Sequence, residues 1–162
     1  MKSKKLTFKH KVYKHNKALP IEIQKLIKQA SKQTKFSYAP YSKFYVGAAL
    51  LLENGKLIGG CNQENVSYPL CICAERVALY TYGAKTIKSK IKALAVTVRY
   101  DLKVLKEPCM PCGACRQVIQ EYENRQGQPI DIYATAESVD EIIYFKGIET
   151  ILPTAFSQST LL

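Results

Sequence analysis

Two short cysteine segments, Cys71-Ile72-Cys73-Ala74-Glu75-Arg76 and Pro111-Cys112-Gly113-Ala114-Cys115-Arg116-Gln117, lie about forty residues apart in this chain. Any fold that uses them together must bring two distant stretches to one point. No other feature limits the possible folds as strongly. Cys73, Cys112 and Cys115 offer three thiolates, and Glu75 adds a carboxylate that is not needed as a ligand. Three protein ligands, an open fourth position and a neighbouring acid/base group make up the inventory of a catalytic zinc site.

The spacing has a physical reason. Cys112 and Cys115 stand one helical turn apart, so both can face one ion. Val118, Ile119 and Tyr122 continue at helical spacing, which places the pair on the first turn of a helix. Cys73 opens a second helical pattern through Val77, Ala78 and Leu79. Two helix N-termini then point at the metal, and their partial positive charge favours thiolates. Glu75 sits two residues beyond Cys73, close to the ion but aimed elsewhere, where it can take a proton from water and pass it on.

Six cysteines leave choices to make. Cys71 competes with Cys73, but only Cys73 has a glutamate at the second position after it. Pro108-Cys109-Met110-Pro111-Cys112 repeats the proline-cysteine pattern, but Gly113 and the helical run behind it favour Cys112 with Cys115. Cys61 and Cys71 are then packing residues. Three thiolates on Zn²⁺ sum to a net charge of −1, which weakens the ion as a Lewis acid. Arg76, beside Glu75, is suited to offset that charge by donating to a ligand sulfur.

These segments, with Pro40-Tyr41-Ser42-Lys43-Phe44, Val46-Gly47-Ala48-Ala49-Leu50, Gly60-Cys61-Asn62-Gln63-Glu64-Asn65, Ser67-Tyr68-Pro69-Leu70 and Leu152-Pro153-Thr154-Ala155-Phe156, resemble the small nucleoside cytidine deaminases of the three-cysteine type. The resemblance is close over residues 36–120 and looser at the C-terminal end. It implies hydrolytic deamination of cytidine and 2′-deoxycytidine in pyrimidine salvage, one zinc per subunit and a cytoplasmic homotetramer with shared active sites. Glu75 would move protons between water, ring N3 and the departing amine. Phe44 would pack on the cytosine ring, Asn62 and Glu64 would hold a ribose hydroxyl, and backbone near Ala74 would meet the base edge. Tyr68 would help build the site near a subunit boundary, Gln117 would steady the surroundings of the metal, and Phe156 would close a neighbour's pocket. A blasticidin-type deaminase, an enzyme deaminating bases within RNA or DNA, and a structural zinc module are the alternatives; the second needs a basic channel, which the nearly neutral body from residue 36 does not offer.

The charge of +11 suggests a polyanion partner until its distribution is considered. Residues 1–35 carry 11 lysines against one glutamate, whereas the remainder is nearly neutral at a net +1. The expectation is a basic, flexible leader over 1–19 and one catalytic domain over 20–162, with no specific nucleic acid bound. No apolar run approaches the roughly 20 residues of a membrane span.

The rest of the chain supplies a scaffold. Pro20 opens an amphipathic helix ending near Phe36, with Ile23, Leu26, Ile27 and Ala30 inward. Phe44–Leu52 is a continuous apolar strand, and Asn54-Gly55 turns it into an antiparallel return over residues 56–61. Residues 91–98 and 130–135 read as buried strands, 142–145 as an extra edge strand and 148–152 as a short helix. Together these predict a three-layer α/β/α sandwich around a mixed five-stranded sheet.

Overall fold

The computed structural model describes residues 3, 5, 7–85 and 87–157. Leader residues 1, 2, 4 and 6, and the last five of the expected domain, lie outside the described residues. The elements are β1 (Lys11–Tyr13), α1 (Ile21–Gln33), β2 (Phe44–Leu52), β3 (Leu57–Cys61), α2 (Ala74–Gly83), β4 (Ile91–Tyr100), α3 (Gly113–Gln126), β5 (Asp131–Ala136) and β6 (Val139–Lys146). The strands form one sheet in the order β1-β6-β5-β4-β2-β3. Only β4 and β5 run parallel, joined by the crossover through α3.

The central strands are apolar on both faces because helices cover both. Ala48, Leu50 and Leu52 of β2, with Leu94 and Val96 of β4, pack against Ala78 and Leu79 of α2 and Ile119 and Tyr122 of α3. The alternate residues, Ala49, Leu51, Ala93 and Ala95, pack against Ile23, Leu26 and Ala30 of α1. This two-residue alternation sorts one apolar run into two cores. The expected hairpin forms with Gly55 at φ 81°, the left-handed conformation that glycine adopts without strain.

The sheet has six strands, not five. The extra one comes from the leader: Lys11, Val12 and Tyr13 pair antiparallel with Tyr144, Ile143 and Ile142 of β6. Tyr13 sets its ring edge-on to Tyr144 at 6.5 Å, and Leu19 is buried. Within the leader Lys11–Tyr13 are therefore a strand and Asn16–Ala18 a 3-10 turn, and β6 is an interior strand rather than the edge. Residues 148–152 form a single turn in which Ile151 and Leu152 N–H both donate to the Ile148 carbonyl, and no helix follows. Gly147 at φ 77° and Pro153 bracket that stretch and leave it too short to propagate.

Gly60 fixes the position of α2. A Cβ at this site would lie 2.5 Å from the Ala78 nitrogen and 2.6 Å from the Ala74 carbonyl oxygen, both backbone atoms of α2. Because α2 carries Glu75 on its first turn, this close approach places the chemistry. Gly60→Ala is expected to destabilise by about 1–3 kcal/mol, the usual cost of overpacking. Gly113→Ala, where a Cβ meets nothing within 4 Å, should leave stability unchanged or slightly raised. Urea denaturation of the two variants checks both.

Candidate active site

Cys73 and Cys112 are the N-cap residues of α2 and α3. Both have extended backbone dihedrals, so the chain reaches each helix from outside and turns at the sulfur. Cys115 lies one turn into α3 and is fully buried. The three Sγ atoms lie within 4.8 Å of one another, with Cys73–Cys112 at 3.8 Å and Cys112–Cys115 at 3.4 Å. Sulfurs bound tetrahedrally at about 2.3 Å from zinc stand about 3.8 Å apart, so the donor set fits this ion in type and spacing.

The cluster's electrostatics favour negative charge. The Cys73 thiol is pushed down to about 5, first by its hydrogen bond with Cys115 and then by Arg76. Arg76 Nη2 lies 3.6 Å from Cys73 Sγ, where the sequence placed a charge-offsetting guanidinium. Cys115 is pushed up by the same hydrogen bond and by burial, so it keeps its proton while Cys73 holds the charge. A divalent cation would displace that proton. Cys112 Sγ also accepts from the Cys115 N–H at 3.4 Å.

Glu75, only 3% exposed, lies on the first turn of α2. Burial pushes its carboxyl up to about 7, aided by the charge on Cys73. A carboxyl tuned there can both accept and deliver a proton near neutral pH.

Glu75, Cys73 and Cys112 form one end of a cavity of about 610 Å³, a volume suited to a small molecule. Phe44, Asn62 and Glu64 also line it. Phe44 follows Lys43, whose φ of 57° is unusual for a non-glycine and aims the start of β2 into the cavity. The Asn62 side chain is largely engaged: Oδ1 accepts from Val46 N–H and the Ser37 hydroxyl, and Nδ2 donates to the Phe44 carbonyl. One amide N–H remains free for a ligand. Glu64 accepts from Tyr41 N–H, Ser42 N–H and the Ser42 hydroxyl. Burial raises its carboxyl, but those bonds outweigh it and hold the group below the usual carboxylate range.

Other expected residues sit differently. The Ala74 side chain is buried in the core, although its N–H belongs to the open first turn of α2. Tyr68 is exposed and packs on Tyr41 at 5.9 Å, beside Glu64 but off the cavity wall. Phe156 is 62% exposed and lies away from this cavity. Gln117 Nε2 donates to the Phe156 carbonyl at 2.7 Å and ties the C-terminal stretch to α3. The spare thiols are occupied or protonated: Cys71 Sγ accepts from Asn65 N–H, and burial pushes Cys109 up to about 11.

Several residues escaped sequence reasoning. Tyr100, at the end of β4, and Lys103, Leu105 and Met110 beyond it also line the cavity. Tyr100 lies edge-on to Phe44 at 5.2 Å because β4 pairs with β2 there. Arg116 joins Pro111 and Ile151 carbonyls at 2.8 and 2.9 Å, which anchors the approach to Cys112.

Comparison with known proteins gives a consistent picture. The family model for the cytidine and deoxycytidylate deaminase zinc-binding region matches residues 20–127. A cytidine deaminase of Sporosarcina psychrophila is 40% identical over 87% of this chain and 96% of its own length. The crystal structure of cytidine deaminase from Burkholderia pseudomallei superposes with a TM-score of 0.70 at 38% identity, covering 82% of this chain and 97% of that one. The enzyme from Mycobacterium tuberculosis gives 0.59 at 33%, covering 85% and 99%.

Proposed function

This chain belongs to the cytidine and deoxycytidylate deaminase family, and on that premise we propose a residue-by-residue account of its site. It is a zinc-dependent hydrolase that converts cytidine and water to uridine and ammonia. The observation that carries the account is a buried glutamate beside three convergent thiols, with Glu75, Cys73 and Cys112 lining one cavity.

Cys73, Cys112 and Cys115 would hold the zinc, which when bound would supply Lewis acidity near neutral pH. Glu75 takes a proton from the attacking water and delivers it to ring N3, which makes C4 electrophilic. After addition at C4, Glu75 carries a proton to the departing amine, so the same carboxyl serves as base and then acid. Arg76 draws charge from Cys73 through its contact with the sulfur. Phe44 packs on the base, and the free amide N–H of Asn62 with the carboxylate of Glu64 holds the sugar. The exposed Tyr68 and Phe156 act across subunit boundaries of a homotetramer, in which Phe156 closes a neighbour's pocket. 2′-Deoxycytidine is a second substrate, and the setting is cytoplasmic pyrimidine salvage.

Loss of the cytosine chromophore and ammonia release, followed with cytidine, 2′-deoxycytidine and free cytosine, test this reading. Both nucleosides should turn over, with one ammonia per chromophore lost. Free cytosine should be slower by about 10²-fold or more, because it forfeits the binding energy of the sugar. Equal turnover of free cytosine would remove the sugar-holding role. Glu64→Gln should raise KM about tenfold or more with a smaller change in kcat, since a charge-assisted hydrogen bond is worth about 1.5–3 kcal/mol. Sedimentation as a monomer would contradict the role of Phe156.

A further inference from the structure

The outer face of α1 carries an unusual charge pattern. Lys25, Lys28, Lys32 and Lys35 are all exposed, the first three on α1 and the last in the short 3-10 turn that continues it. At 3.6 residues per turn, the four fall within about 80° of one another around the axis and span about 15 Å along it. No carboxylate among the described residues pairs with any of them. The one acidic residue of α1, Glu22, is bound to Lys92 at 2.6 Å and so neutralises none of the stripe. The opposite side of α1 is fixed in the core through Ile23, Leu26 and Ala30. The stripe is thus a rigid row of like charge, on the face of the sheet away from α2 and α3.

Four aligned lysines repel one another, and Glu137, whose carboxylate meets this helix and its 3-10 turn, is held by the Ser31 and Thr34 hydroxyls at 3.0 Å rather than by any of the four. A complementary partner is a row of negative charges with matching pitch. We propose that this face of α1 binds the phosphate backbone of duplex nucleic acid, without reading bases. A duplex strand presents a phosphate about every 3.4 Å along the axis but winds around it, so a straight stripe of about 15 Å meets two or three of them. A membrane surface fits less well. A membrane-surface helix buries its apolar face in lipid, and that face of α1 is already buried in the protein. Single strands also fit less well, because a convex helix offers no groove and Lys25, Lys28 and Lys32 have no aromatic residue between them for bases to stack on. The contact would leave the active-site cavity, on the other helical layer, open to substrate.

The test is fluorescence anisotropy of a labelled 20-base-pair DNA duplex, titrated with zinc-loaded full-length protein from about 20 to 200 mM KCl. Each phosphate contact contributes about −0.9 to the slope of log K against log salt, so K25Q/K28Q/K32Q/K35Q should flatten the slope by about two to three. Affinity at low salt should fall at least tenfold, with cytidine deamination unchanged. An unaltered slope in that variant would overturn the proposal. So would affinity that persists there but disappears in K9Q/K11Q/K14Q/K17Q, which would place the contact on the leader. Binding to phosphatidylglycerol-containing vesicles with none to the duplex would equally overturn it.

Discussion

Glu75→Gln is expected to lower kcat by about 10²–10⁴-fold, the range for loss of a positioned general acid/base, while the protein still holds one zinc per chain. The amide matches the carboxylate in shape, so a site only 3% exposed accepts it without a cavity or a clash. What it cannot do is take a proton from water or give one to N3. Burial already opposes the ionised form of Glu75, so a neutral side chain there should leave the melting temperature unchanged or higher. Loss of activity without loss of fold or metal separates proton transfer from structure. Steady-state absorbance kinetics beside elemental zinc analysis make the comparison. A kcat within tenfold of wild type would remove Glu75 from the reaction.

Removing the metal should have the second largest effect, on both activity and stability. The three sulfurs come from the starts of two helices, so a bound ion ties the start of α2 to that of α3. A site occupied at a thousandfold excess over Kd contributes about 4 kcal/mol. For a chain of this size that corresponds to a fall in Tm on the order of 10 °C after chelation. Cys112→Ser should melt at the chelated temperature with or without added zinc and should show no deamination. Binding also releases a proton from the cluster, because Cys115 keeps its own until a cation displaces it. A Tm that ignores both chelator and Cys112→Ser would mean that the ion has no part in holding the helices.

Much of the frame was legible in the sequence because local rules decided it. The strand expected at Phe44–Leu52 has those same bounds: its apolar run ends at the Asn54-Gly55 turn. Both metal-site helices begin directly after the chosen cysteines, since spacing and the apolar pattern behind them agreed. What escaped depends on contacts between distant residues. Strand β1 is three residues in a lysine-rich stretch, and its partners Ile142–Tyr144 lie about 130 positions away. The bond from Gln117 to the Phe156 carbonyl depends on the path of residues 148–156. Asn62, expected at a ribose hydroxyl, also braces the mouth of β2 with most of its hydrogen-bonding capacity. Tyr100 and Lys103 became cavity residues through the pairing of β4 with β2, which no local pattern in the loop announced.

Zinc K-edge X-ray absorption on the loaded, substrate-free protein tests most directly whether the cysteine centre is catalytic. Three sulfur neighbours per zinc at about 2.3 Å, with a light atom completing the shell, is the expected result, because an open position is what chemistry at this site requires. Four sulfurs per zinc, with Cys71 or Cys109 drawn in as the last, would describe a closed structural site and contradict it.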